Sequence, residues 1–320
     1  MNNYKFLNFI SSGTFGKVYK AIDKNNNSIV AIKKINLTKL TPYDLENLYN
    51  ECRIGFLADC DFIIKFLDIF FFEDYIYIVT KYYENGDLRT YINNHGKLSD
   101  EHIWKIMTQL FLAVDYLHEN NIIHRDIKIQ NILVKNNGDI VLADLGVTKI
   151  LNNSDYTKTQ IGTPYYFSPE IANGSYYTKA IDIWCCGIVL YEILFNKYPF
   201  NAHNLPFLLR KIRNDIVEFP KYNGENSLVL ISLCNKLLAK TTSMRPPIGL
   251  LLKNKNVNEI MFKNGYYISK HLLNFDNCKY DSKISIQKNL DCFVKKPPDK
   301  EPVNIYKENQ KSIGIQVNLI

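Results

Sequence analysis

The sequence has no run of about 18 consecutive apolar residues, the least a membrane-crossing helix needs. Its first residues, Met1-Asn2-Asn3-Tyr4-Lys5, lack the charged-then-apolar layout of a secretory leader. A cytoplasmic or nuclear location and no membrane span are therefore expected. There is no Cys-x-x-Cys pair. The seven cysteines, Cys52, Cys60, Cys185, Cys186, Cys234, Cys278 and Cys292, are odd in number, which argues for reduced thiols and against a disulfide frame or a zinc site. No internal repeat is present. A charge of one sign does not dominate either: the net charge is +7, but residues 263–320 hold ten lysines and six acids and so account for +4 of it. The remaining surplus is spread thinly, and a nucleic-acid interface is not expected.

What is there is ordinary for a globular chain: 46% hydrophobic and 22% charged residues. A length of 320 residues allows one large bilobal domain or two ordinary ones. The first 80 residues read as strands at Val18 to Ile22, Ile29 to Lys33 and Tyr75 to Thr80, around one helix. That helix is announced by Thr41-Pro42-Tyr43-Asp44, an N-cap followed by proline at the first helical position, and should run to about Leu57. Beyond Gly86 the pattern is mainly helical. Ser99 caps a helix with apolar positions Ile103, Ile106, Met107, Leu110, Val114 and Leu117 on one face. Asp182 to Phe195 is apolar almost all round and reads as a central buried helix, with Cys185 and Cys186 as packing residues. After about Phe262 the pattern weakens, Pro297-Pro298 breaks the chain and 295–310 is polar.

Several stretches carry chemistry. Ile10-Ser11-Ser12-Gly13-Thr14-Phe15-Gly16-Lys17-Val18 looks like a loop whose backbone amides lie over phosphates, although two glycines near a strand, taken alone, are more often a simple turn. Lys33 ends the strand Val30-Ala31-Ile32-Lys33 and has a possible ion-pair partner in Glu51 on the Thr41-capped helix. His124-Arg125-Asp126-Ile127-Lys128-Ile129-Gln130-Asn131 places a carboxylate, an ammonium and an amide within six residues, before a short apolar strand, Ile132 to Val134. Asp144-Leu145-Gly146 follows a second one, Ile140 to Ala143.

This ordered series, closed by Ser168-Pro169-Glu170, resembles the protein kinase superfamily. The resemblance covers about residues 4–262. It implies an α+β fold: a small β-rich N-lobe with one regulatory helix at about 4–80 and a larger, mainly helical C-lobe at about 86–262. A basic, partly disordered tail would occupy 263–320. It also implies ATP and Mg²⁺ as cofactors and transfer of the γ-phosphoryl group to protein hydroxyls. In that scheme Asp126 accepts or orients the substrate proton and Lys128 neutralises charge on the moving phosphoryl group. Asn131 and Asp144 hold Mg²⁺. Lys33, fixed by Glu51, contacts the α- and β-phosphates. Residues 10–18 cover the nucleotide, Ala31 and Leu133 sandwich the adenine, and Lys81-Tyr82-Tyr83 forms the hinge after Thr80. Arg245 is expected to pair with Glu170. Retention of the fold as a catalytically weak scaffold is the alternative.

Lys128 two residues after Asp126, with Gly162-Thr163-Pro164, looks like the serine/threonine branch. The stretch Ile161 to Glu170, taken with 124–132 and Asp182-Ile183-Trp184, is similar to the NIMA-related kinases. Gln130 stands where arginine-directed kinases often carry an acid, so a strong basic preference is not expected. The resemblance further implies activation by phosphorylation at Thr159, with Arg125 as the phosphate's partner and Ser154 and Thr157 as weaker candidates.

Three positions depart from the pattern. Ser11 replaces the first loop glycine, Leu145 replaces phenylalanine, and Gly55 stands where a bulky residue would stack with Leu67, Leu145 and His124. Gly55 is expected to leave that stack short and the Glu51 helix poorly held. Finally, Gly314-Ile315-Gln316-Val317-Asn318 resembles the short strands bound by the dynein light chain hub through β-strand addition. A strand packed back on the chain, or plain disorder, is the other reading of that segment.

Overall fold

The computed structural model describes residues 3–12, 16–145, 149–150, 163–222, 224, 227–268 and 273. Gly13, Thr14, Phe15, Gly146, the phosphorylation candidates Ser154, Thr157 and Thr159, the cysteines Cys278 and Cys292, and the 314–318 motif lie outside them. Two compact units are formed, one from residues 3–58 with Lys65–Tyr82 and the other from Asp59–Ile64 with 83–268.

The first unit is built on a five-stranded antiparallel sheet of order β1-β2-β3-β5-β4, with β1 Tyr4–Ser12, β2 Gly16–Asp23, β3 Ile29–Asn36, β4 Phe66–Phe72 and β5 Tyr75–Lys81. The β2–β3 hairpin turns through side chains that cap their own backbone: Asp23 accepts from Asn25 N at 2.9 Å and Asn26 from Ser28 N at 2.9 Å. One face of the sheet holds Ala21, Val30, Ile32, Phe70, Tyr77 and Val79 as a buried cluster. There the rings of Phe70 and Tyr77 stack at 4.8 Å.

Against the other face lies α1, Pro42–Leu57. Its start is the one the sequence announces. Thr41 Oγ1 accepts from Asp44 N at 3.2 Å, and the Asp44 carboxylate accepts from Thr41 N at 3.0 Å, a reciprocal cap.

Here the structure corrects the reading of Gly55. There is no gap beside it, because a Cβ on Gly55 would sit 2.6 Å from Cγ of Phe66 and 2.7 Å from Cδ1 and Cδ2. Nor is Leu67 a buried stacking residue; it is 57% exposed, while Phe66 is 8% exposed. The cause is a β-bulge. Phe66 pairs with Thr80 and Asp68 with Val79, so two steps along β4 match one along β5, and Leu67 is the extra residue.

The second unit is mainly helical, with α2 Leu88–His95, α3 Asp100–Glu119, α4 Pro169–Ala172, α5 Ala180–Phe195, α6 Leu205–Asn214, α7 Ser227–Leu237, α8 Ile248–Leu252 and α9 Lys255–Asn264. Every residue of α5 from Ile181 to Leu194 is buried, and the helix packs against α3 and α7. Short strands complete the unit: β6 Ile122–Ile123 pairs with β9 Lys149–Ile150, and β7 Ile132–Val134 pairs with β8 Ile140–Leu142. The described cysteines, Cys52, Cys60, Cys185, Cys186 and Cys234, are all buried. Burial pushes the thiols of Cys52, Cys185 and Cys186 well up, which suits packing and not nucleophilic chemistry.

Candidate active site

In the first unit, strand alternation decides which residues face α1. Val18 pairs with Lys33, and Ala31 pairs with both Lys20 and Thr80. Directly paired residues share a face, and residues two apart on a strand do too. Val18, Ala31, Lys33 and Thr80 therefore lie on one face, opposite the buried cluster of Val30, Ile32 and Val79. Lys33 Nζ donates to Glu51 Oε1 at 2.9 Å, and Glu51 is 4% exposed. The expected ion pair is formed.

Ser11 and Ser12 pair with Val18 and Lys17 at the end of β1, directly after Ile10. Gly16 opens β2 where a Cβ would meet the Lys34 carbonyl oxygen at 2.4 Å. Glycine there is demanded by close strand approach, independently of any phosphate. Tyr82 receives the Lys20 ammonium over its ring, 4.3 Å from the centroid.

In the second unit the segment 124–131 hangs between β6 and β7. Its first residues are tied to Asp182, fully buried in the first turn of α5, which accepts from His124 N and Arg125 N at 3.0 Å each and bonds His118 Nε2 at 2.8 Å. Burial alone would raise the Asp182 carboxyl. The hydrogen bond and charge of His118, with those of His124, outweigh it and hold the group below the usual carboxylate range. Burial lowers the pKa of His124, although Asp182, Asp126 and Asp144 act in the opposite sense.

The chain turns sharply through Arg125 at φ +69°, a left-handed conformation that costs a non-glycine residue about 1–3 kcal/mol. Asp144 is also left-handed, at φ +58°. Such strain persists where surrounding bonds over-determine it, and here they do. The Asp126 carboxylate accepts from Lys128 Nζ at 2.6 Å and from Asn131 Nδ2 at 2.9 Å, and Asn131 also donates to the Asp126 carbonyl at 2.8 Å. Lys128 Nζ reaches Thr163 Oγ1 at 3.2 Å.

Asp144 is brought alongside by the β7–β8 pair and by Ala143 N, which donates to Asn131 O at 2.8 Å. Leu133, in the middle of β7, pairs with Val141 and bridges to Asp87. Glu170 and Arg245 form the expected buried pair, bidentate at 2.7 Å on both arms.

Sequence reasoning did not single out Arg89, His118 or Glu192. Glu192, buried in α5, accepts from Arg89 and from the Tyr166 hydroxyl, and that hydroxyl in turn accepts from Ile129 N at 3.1 Å. This network supports the segment three residues past Asp126. The available signal was the presence of carboxylates, Asp182 and Glu192, inside a helix otherwise almost wholly apolar.

A carboxylate, an ammonium and a hydroxyl are thus joined in one hydrogen-bonded chain on this fold. The chain belongs to the protein kinase family: the family model described as "Protein kinase domain" matches residues 4–256. It is similar to serine/threonine-protein kinase Nek5 of Homo sapiens, 35% identical over 82% of this chain and 37% of that protein. It is also similar to NUAK family SNF1-like kinase 2 of Homo sapiens, 35% identical over 68% of this chain and 35% of the relative. A third relative is serine/threonine-protein kinase SIK2 of Gallus gallus, 33% identical over 79% of this chain and 31% of its length. The chain thus spans well under half the length of these relatives.

Proposed function

We propose that this chain is an ATP-dependent serine/threonine protein kinase of the NIMA-related type, activated by phosphorylation at Thr159. The observation that carries the reading is Lys128, whose ammonium bonds both the Asp126 carboxylate at 2.6 Å and the Thr163 hydroxyl at 3.2 Å. A base and a cation are thereby held together beside a hydroxyl-bearing residue of the acceptor side.

In the reaction the acceptor hydroxyl attacks the γ-phosphorus of ATP, the bond to the β-phosphate oxygen breaks, and ADP leaves. Asp126 orients the hydroxyl and takes its proton. Asn131, donating to both the carbonyl and the carboxylate of Asp126, fixes the direction in which that carboxylate points. Lys128 neutralises charge spread over the moving phosphoryl group. Lys33, held by the buried Glu51, binds the α- and β-phosphates.

The oxygens of Asn131 and Asp144 fit Mg²⁺. With its amide nitrogen committed to Asp126, Asn131 presents Oδ1 as an acceptor, and Asp144 adds an exposed carboxylate. Two hard protein oxygens suit an ion that completes its shell with phosphate and water. Among the described residues no cluster of three or more His, Cys, Asp or Glu side chains suggests an all-protein metal cage. Bound there, the ion would neutralise phosphate charge.

The test is transfer of labelled γ-phosphate from ATP to a generic Ser/Thr acceptor, with the phosphate at Thr159 mapped beforehand. Asp126→Asn should lower turnover by about 10²–10⁴-fold, the usual worth of a positioned base. A wild-type chain phosphorylated at Thr159 that transfers nothing would sink the reading and favour the scaffold.

A further inference from the structure

We propose that Phe66 is a positioning residue for the Lys33–Glu51 pair, its ring seated in a socket that exists because position 55 of α1 is glycine. The inference rests on the kinase reading for its catalytic consequence, and on packing alone for its structural one.

Gly55 lies one helical turn beyond Glu51, on the same side of α1. The three nearest atoms to a Cβ placed there all belong to the Phe66 ring, at 2.6–2.7 Å, closer than real Cβ contacts allow. The ring therefore lies against the bare helix backbone. Phe56 stands edge-on to it, centroids 6.0 Å apart and planes at 77°, so neighbouring residues of α1 hold it from two sides.

The bulge is what delivers the ring. On the face toward α1, regular alternation back from Phe71 and Ile69 would next present residue 67. Because Leu67 is the extra residue, Phe66 instead takes the place opposite Thr80, and Thr80 shares its face with Lys33. Bulges re-aim side chains in this way. The bulky group that a side chain at 55 would supply from the helix is thus supplied from the strand. It fixes both the distance and the rotation of the turn that carries Glu51, whose carboxylate must stay within 2.9 Å of Lys33.

Three variants of the full chain test this: Phe66→Ala, Gly55→Leu, and both together. Two readouts are taken, hydrogen exchange of the α1 amides and the KM for ATP separately from kcat. The first single variant empties the socket and the second forces a side chain into an occupied one. Each should speed α1 exchange at least tenfold and raise the KM for ATP at least fivefold. The double variant returns the bulk to the helix and should recover both values to within threefold of wild type.

A structural role confined to general stability would slow turnover through loss of folded protein and leave the KM unchanged. A double variant no better than the worse single one, or Phe66→Ala with wild-type exchange in α1, would overturn the proposal. If the wild type itself transfers no phosphate, the kinase reading fails by that result, and the exchange data still decide whether Phe66 holds the helix.

Discussion

Asp182 is one carboxylate with three partners, and its burial makes their geometry matter. It contacts no reacting group, yet it ties down His124 N and Arg125 N immediately before Asp126. Its folded pKa is held below the unfolded value of about 3.9, so the stabilisation it provides is fully present above pH ~4 and is lost as pH falls through the folded value. His124 adds an earlier step. Its folded pKa lies below the unfolded ~6.5, so the unfolded chain binds the proton first and stability declines as pH falls below that point. Urea midpoints measured from pH 7 to pH 3 should therefore fall in two stages. Asp182→Asn should be less stable at pH 7 by about 1–3 kcal/mol, through impaired buried hydrogen bonds, and should lack most of the stage below pH 4. A variant whose acid limb parallels the wild type would contradict the assignment of that stage to Asp182.

Elements show most plainly what could be read from the sequence. Helix α1 was legible because Thr41, Pro42 and Asp44 are a cap whose chemistry is local. The helix capped by Ser99 was legible for the same reason, and Asp182 to Phe195 by its uniform apolarity. Strands β1 and β4 were not. In β1 the apolar Leu7, Phe9 and Ile10 are exposed, so alternation does not mark an inside. In β4 the extra residue shifts the parity midway, and a pattern-based reading of the buried face lands on Leu67 instead of Phe66. The side chains around Asp126 could be nominated from spacing and resemblance, but the bonds through Glu192 and Arg89 join residues far apart in sequence.

The bulge makes a sharp contrast between neighbours. Phe66→Ala should cost about 3–5 kcal/mol, the range for a buried aromatic, whereas Leu67→Ser at its exposed position should stay within about 0.5 kcal/mol. Chemical denaturation of the two variants checks this, and a larger loss from Leu67→Ser than from Phe66→Ala would mean that the register is regular after all.

Across the whole molecule the proposed machinery divides cleanly. Lys33–Glu51 is assembled inside one unit, and Asp126, Lys128, Asn131 and Thr163 inside the other. The second unit has its own anchor in Glu170–Arg245. Removing Arg245 leaves a buried carboxylate without its partner, a loss of about 3–5 kcal/mol. Arg245→Ala should accordingly lower the melting temperature by several degrees, with hydrogen exchange accelerated in α4 and α5 more than in the first-unit strands. Uniform acceleration would show that the anchor serves the chain as one cooperative block.

The division is not sequential, since Asp59–Ile64 belongs with the later unit although residues of the earlier one flank it on both sides. Phe62 O accepts from Leu142 N at 2.8 Å, and Ile64 N donates to Leu142 O at 2.9 Å. On a ribosome those partners emerge roughly 80 residues apart, which at about 5–20 residues per second is a delay of roughly 4–16 s. For that interval Phe62, Ile63 and Ile64 are apolar residues waiting for a strand that has not yet been made. Newborn chains should bind a hydrophobic-segment chaperone there, and release it once β8 has cleared the exit tunnel.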